Sequence, residues 1–281
     1  PDLLRQLIEL IRSKFDLAAD AEFSVEGNPA DLSDATLDVL VEAGVNRLSL
    51  GAQSFDDATL KMLERDHRGS DIADCLARAR ERIPNISLDL IFAVPGQSLD
   101  LWRSTLDEAI RLEPTHLSTY GLTFEKGTAF WTRREHGDLT QADEELERDM
   151  YGLAMDVLDE AGLAQYEISS FARPGFRCRH NQVYWNGGDF FGFGPGAASY
   201  QHGRRILNHR SVTTWLKRVL AGESGVGETE ELSPEDRARE LLVLSLRQTD
   251  GIEASEFERR SGIEVQTLVG ESIERLVEQN L

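Results

Sequence analysis

Apolar positions recur at helical spacing in the first segment, at Leu3, Leu4, Leu7, Ile8, Ile11 and Phe15. A short extended run over Glu22–Glu26 follows and stops at Asn28-Pro29. Ser33 can cap a helix through Val41, with Gly44 as its C-terminal stop. Arg47–Leu50 reads as the next strand, closed by Gly51. The alternation continues with a helix over Asp71–Ile83 and a short apolar strand over Ser87–Phe92, interrupted by Asp89. A helix over Leu99–Leu112 and a strand over Leu117–Tyr120 come next. Asp143–Ala161 is a long amphipathic helix, and Gln165–Ser170 a further strand. This rhythm predicts an α/β fold of parallel strands joined by crossover helices.

The pattern then changes. Pro174 to Tyr200 is rich in glycine and aromatic residues and has no clear period. A segment of that length without regular structure is expected to carry function. Gly222–Glu231 reads as a polar, acidic linker. Ser233-Pro234-Glu235-Asp236 is a strong helix start, with serine as cap, proline at the first position and acids in the first turn. Two more helical segments follow. The expected organisation is a partial barrel over 1–200, a connecting segment over 201–232, and a small helical, winged-helix-like domain over 233–281.

Charge narrows the function classes. The 281 residues carry a formal net charge of -20, which repels phosphates and excludes a nucleic-acid binder. An anionic membrane surface is disfavoured for the same reason. No apolar run approaches the roughly 20 residues of a membrane helix, and the start carries no signal-peptide pattern. Cys75 and Cys178 form no CxxC cluster, which fits a reducing cytoplasm rather than a disulfide scaffold.

Polar residues stand at or near the ends of the apolar strands. They are Glu26, Gln53 and Asp89. Parallel barrels build their sites at the carboxyl ends of the strands. Glu26 and Asp89 can accept hydrogen bonds from hydroxyls or an ammonium, and Gln53 can both donate and accept. Arg65 can clamp a carboxylate bidentately. The set suits a ligand with a diol, an amine and a carboxylate. Structural alternatives exist: Asp89 capping a neighbouring turn, and Arg65 pairing with Glu64 or Asp66.

Three stretches give this set a family. Glu26-Gly27-Asn28-Pro29, Arg47 through Phe55, and Asp89 through Gln97 resemble the HemN/HemW branch of the radical-SAM superfamily. The resemblance implies an incomplete (β/α)6 barrel of radical-SAM type with a small C-terminal helical domain. It also implies that Glu26, Gln53, Arg65 and Asp89 bind S-adenosylmethionine. Ala93 stands where the family usually has glycine.

A second motif lies in the irregular segment. Cys178-Arg179-His180-Asn181-Gln182-Val183-Tyr184-Trp185 contains His-Asn-x-x-Tyr-Trp, which resembles the motif of the HemW haem chaperones. A loop histidine beside aromatic rings can ligate haem iron while the rings pack on the macrocycle. The resemblance therefore implies haem contact by His180, Asn181, Tyr184 and Trp185, with His180 or Cys178 on the iron. In the structural alternative, Tyr184 and Trp185 close the barrel bottom and His180 is hydrogen-bonded inside. Ala198 replaces a family histidine, and His202 lies nearby.

The implied function is to bind haem and hand it to haem-requiring respiratory proteins. The rival is oxygen-independent coproporphyrinogen III dehydrogenase, a radical enzyme of porphyrin biosynthesis. A second rival is a plain barrel for another small ligand. The family's [4Fe–4S] cluster sits on a Cys-x-x-x-Cys-x-x-Cys loop, which is not in this sequence. The chain is expected to begin after the family's second barrel strand and to stop inside a longer helical domain. A fragment is the expectation, and a degenerate relative the alternative. As written, it is predicted not to cleave S-adenosylmethionine reductively. An exposed strand edge is expected to favour aggregation or pairing as a homodimer.

Overall fold

The computed structural model describes residues 1–280. The chain divides into two compact units, Pro1–Arg177 and the remainder from Cys178. In the first, α1 (Asp2–Lys14), β1 (Ser24–Gly27), α2 (Asp34–Glu42), β2 (Arg47–Gln53), α3 (Asp57–Met62) and α4 (Gly69–Arg80) come in order. Then come β3 (Ile86–Phe92), α5 (Leu99–Arg111), β4 (His116–Gly121), α6 (Ala129–Glu135), α7 (Glu144–Glu160), β5 (Ala164–Glu167) and β6 (Ser170–Ala172). The sheet order is β1-β2-β3-β4-β6-β5. The first four strands are parallel, and β6 runs antiparallel to both β4 and β5. Among the described residues the sheet does not close, so β1 and β5 are its edges. This is an open partial barrel.

Side-chain alternation gives the sheet two unlike faces. Leu48, Leu50, Leu88, Leu90, Leu117 and Phe171 are fully buried on one. Leu37 and Leu40 of α2, Leu76 of α4, Trp102 and Leu106 of α5 and Leu158 of α7 join them in one core. Caps set where the helices start. The Ser33 side chain accepts from Thr36 N–H, Ser98 from Leu101 N–H, and Asp143 from Leu146 N–H.

The second unit contains α8 (Arg179–Trp185), β7 (Ala198–Gln201), β8 (Arg204–Asn208), α9 (Val212–Leu220), β9 (Val226–Glu231), α10 (Pro234–Ser245), α11 (Ala254–Ser261) and α12 (Val265–Glu278). β7, β8 and β9 form an antiparallel sheet. Ala238, Leu242, Phe257 and Leu268 form the buried core of the last three helices.

Several expectations change in detail. β2 runs through Gly51 to Gln53, because a register shift between Leu50 and Gln53 absorbs the glycine without ending the strand. The expected strand Gln165–Ser170 is a hairpin of β5 and β6. The expected connection over 201–232 carries two strands and a helix, and Gly222–Glu231 is no linker: β9 occupies most of it. Its acids face arginines of β8, with Arg205 within 2.7 Å of Glu230. The segment without period holds α8 and β7, and the units divide after Arg177 rather than near Tyr200.

Candidate functional site

The sheet's second face is polar and half to fully buried from β2 onward, while Glu26 on the edge strand is exposed. Its residues follow from the register: Glu26 pairs Ser49, Ser49 pairs Ser87, and Asp89 pairs Ser118. The Ser49 hydroxyl donates to the Asp89 carboxylate, at 3.2 and 3.1 Å from its two oxygens. Ser118 also donates to Asp89. Burial raises the Asp89 pKa above the ordinary aspartate value, and nearby Glu26 pushes it the same way. The serine hydrogen bonds and Arg47 oppose that rise. Asp89 therefore caps no turn. It is a strand carboxylate held between two hydroxyls, with Glu26 close enough to feel.

Across the same face, Ser118 pairs Ser170 and Ser170 pairs Glu167. Glu167 Oε2 and Ser170 Oγ are buried without a hydrogen-bond partner among the described residues. Orphaned acceptors are costly unless something supplies donors. A ligand carrying hydroxyls and an amine fits this face, and two nearby carboxylates favour a cationic one.

Gln53 is buried at the end of β2 with a φ of 64°, in the left-handed region that disfavours a side chain. Its amide nitrogen lies 2.9 Å from the point where a Cβ on Gly51 would sit, and Asn28 Oδ1 lies 3.2 Å from the same point. Gly51 therefore leaves room for the glutamine to fold back over the strand end. Arg65 follows α3 and is exposed. It forms no ion pair among the described residues, with Glu64 or Asp66 or otherwise. Glu64 lies 3.5 Å from Arg133 instead. His67 is buried, with Nε2 3.1 Å from the Ala52 carbonyl, which is a structural role.

Deeper on the polar face lies a chain that single residues do not announce. Ser87 Oγ is 2.8 Å from His116 Nδ1, and His116 Nε2 is 2.8 Å from the Tyr166 hydroxyl. Burial, and then Arg47, lower the His116 pKa to about 3. The imidazole is neutral at any ordinary pH. The signal for this face was the placing of small polar residues inside apolar strands, as in Leu48-Ser49-Leu50 and His116-Leu117-Ser118.

In the second unit, α8 carries the aromatic motif. His180 is exposed, and its Nε2 lies 2.9 Å from the Tyr184 hydroxyl. The two rings meet edge-on at 4.9 Å. Tyr184 meets Phe190 at 4.7 Å, and Phe190 stacks on Tyr200 at 6.2 Å. Asn181 is half-buried. Trp185 lies under the Arg247 guanidinium, 4.4 Å from its ring centre. Tyr184 and Trp185 thus pack within this unit, Tyr184 on Phe190 and Trp185 on Arg247. Cys178 is buried, whereas His180 lies on the surface. His202 is exposed and paired with Asp189 at 3.2 Å.

Comparison with known proteins places these motifs. The Radical SAM superfamily profile matches residues 1–109, and the HemN C-terminal domain profile matches residues 232–281. The heme chaperone HemW of Lactococcus lactis subsp. lactis (strain IL1403) is 36% identical over 279 residues, 99% of this chain and 73% of that protein. The heme chaperone HemW of Bacillus subtilis (strain 168) is 36% identical over 280 residues, 99% of this chain and 74% of that protein. The chain belongs to the HemW family of radical-SAM proteins. The solved coproporphyrinogen III oxidase (HemN) from Escherichia coli matches with a TM-score of 0.83 at 23% identity, over 98% of this chain and 66% of that one, and shares the fold.

The superfamily implies S-adenosylmethionine and a [4Fe–4S] cluster. The polar face of β1–β4 fits the first. The second does not fit the donors present. The chain has two cysteines, Cys75 on α4 and Cys178 at the start of α8, and the cluster needs three thiolates. No group of three or more metal-binding side chains lies together among the described residues.

Proposed function

We propose that this HemW-family protein is a haem carrier. It binds haem on the second unit, holds S-adenosylmethionine on the first, and passes haem to haem-requiring proteins of the respiratory chain. The observation that carries the reading is the His180–Tyr184 pair: an exposed imidazole, braced by a phenol, beside Phe190 and Tyr200. A hydrogen bond to one ring nitrogen orients an imidazole and tunes its basicity as a ligand. His180 supplies the nitrogen for the iron. Tyr184, Asn181 and Trp185 shape the surface around it.

On the first unit, Asp89 and Glu26 receive the ribose hydroxyls and the amine of S-adenosylmethionine. Gln53 serves the strand end, and Arg65, which has no ion pair of its own, takes the carboxylate. No described helix is long and apolar enough to cross a membrane. We place this work in the cytoplasm.

Haem titration tests the reading. The protein should give a saturable Soret shift, and His180→Ala should lose it while keeping its fold. No shift in the native protein removes the carrier function.

A further inference from the structure

The second unit holds a cavity of about 350 Å³. Tyr184, Phe190 and Tyr200 give it an aromatic wall, and Leu241 and Leu244 of α10 an apolar one. Three guanidinium groups line it as well: Arg205, Arg237 and Arg260. Glu240 is the one carboxylate among its lining residues. This is a local inversion of charge in a chain whose formal net charge is -20.

The three arginines differ in what already holds them. Arg205 is neutralised by Glu230 at 2.7 Å and by Glu240. Arg260 donates to the Asn186 carbonyl and lies 4.0 Å from Glu256. Arg237 has no ion pair and no side-chain hydrogen bond among the described residues. Its stem lies over Gly203, where a Cβ would meet its Cδ at 2.5 Å. With a φ of 89°, Gly203 is both the residue the turn needs and the space the arginine uses. An uncommitted guanidinium beside an aromatic wall is a receptor for an anion carried on a flat apolar body.

We propose that this cavity seats a flat aromatic ligand bearing carboxylates, and that Arg237, supported by Arg260, receives a carboxylate. The inference rests on the haem-carrier reading, since haem is a planar macrocycle with two carboxylate arms. Tyr184 joins the two observations. Its hydroxyl meets His180 and its ring lines the cavity. Iron ligation and carboxylate recognition are then separate contributions, made by different residues of one unit.

The separation makes the proposal testable with three probes: haem, metal-free protoporphyrin, and protoporphyrin dimethyl ester. Each is titrated into the full chain and into Arg237→Gln and His180→Ala, following the Soret band and tryptophan quenching. Arg237→Gln should weaken haem and free protoporphyrin about tenfold, the size of one charge-assisted hydrogen bond, and leave the ester unchanged. The ester should bind the native chain about tenfold more weakly than the free acid, a comparison that needs no substitution. His180→Ala should alter the haem spectrum yet leave metal-free protoporphyrin within about twofold, well under the tenfold that one lost charge-assisted hydrogen bond costs. Native binding of acid and ester alike, or full affinity in Arg237→Gln, overturns the carboxylate receptor while the His180-dependent Soret shift still stands for the carrier. Failure of the native chain to bind haem at all overturns the carrier and this inference with it.

Discussion

Leu50, Leu88, Leu90 and Leu117 are fully shielded in the first unit, and behind them Ser49, Asp89 and His116 are held in hydrogen bonds on a sheet. In the second unit the last three helices close over Ala238, Leu242, Phe257 and Leu268, and much of the chemistry lies open: an exposed His180, half-buried rings, arginines at a cavity. The contrast has a physical logic. A ligand of many hydroxyls and charges is recognised by polar groups fixed in place, and a large dry core fixes them. A bulky apolar ligand that must be given up again needs surface more than precision.

The largest effects should come from the two cores. Trp102 is fully buried, and its indole N–H donates to the Met150 carbonyl at 2.8 Å. Trp102→Ala should cost about 4 kcal/mol, from the lost ring and the cavity it leaves. Phe257→Ala should cost a similar amount, about 3–4 kcal/mol, but from a much smaller core. Hydrogen exchange separates the outcomes. Trp102→Ala should weaken protection in α5 and α7 by that free energy, while Phe257→Ala should bring α10–α12 to nearly free exchange. If Phe257→Ala leaves α10–α12 well protected, the second unit is not the weaker one.

The buried polar chain offers the next test. His116 has a pKa of about 3, below the ordinary 6.5, so the folded state refuses a proton that the unfolded chain accepts. The unfolded state binds more protons between those values, and stability therefore falls as the pH drops below 6.5. The slope is about 1.4 kcal/mol per pH unit from this group alone. Denaturation of the native chain between pH 6.5 and 4.5 should show it, and His116→Gln should flatten it by that amount. An unchanged slope means that His116 is protonated in the folded protein.

Much of this was legible in the sequence, for a physical reason. Strand–helix alternation and capping serines are local, so Ser33 and Ser233 mark helix starts without help from the rest of the chain. Asp89 stood out because a carboxylate inside an apolar run needs a reason. What was hidden depends on pairing between distant segments. Val226-Gly227-Glu228-Thr229-Glu230-Glu231 looks like an acidic linker until Arg204 and Arg205 of β8 lie beside it. His116 and Tyr166 are fifty residues apart and meet only when β4 and β5 share a sheet. The arginine-lined cavity draws on α8, β7, β8, α10 and α11.

The smallest effect is expected at Ala93, just past β3. It has a φ of 59° and is buried in the first unit's core. The family resemblance implies a glycine here, and the positive φ gives the reason glycine would suit the turn. Three terms compete in Ala93→Gly. Leaving the left-handed conformation to a glycine relieves about 1–2 kcal/mol. Losing one buried methyl costs about 0.8 kcal/mol. Freeing the unfolded chain costs about 0.4–1 kcal/mol. The sum is near zero, so Ala93→Gly should shift stability by less than about 1 kcal/mol in either direction. Chemical denaturation resolves a change of that size only through a shifted midpoint at constant slope. A loss above about 1.5 kcal/mol would mean that the methyl outweighs the strain, and that the core of the first unit has adapted to the alanine rather than tolerated it.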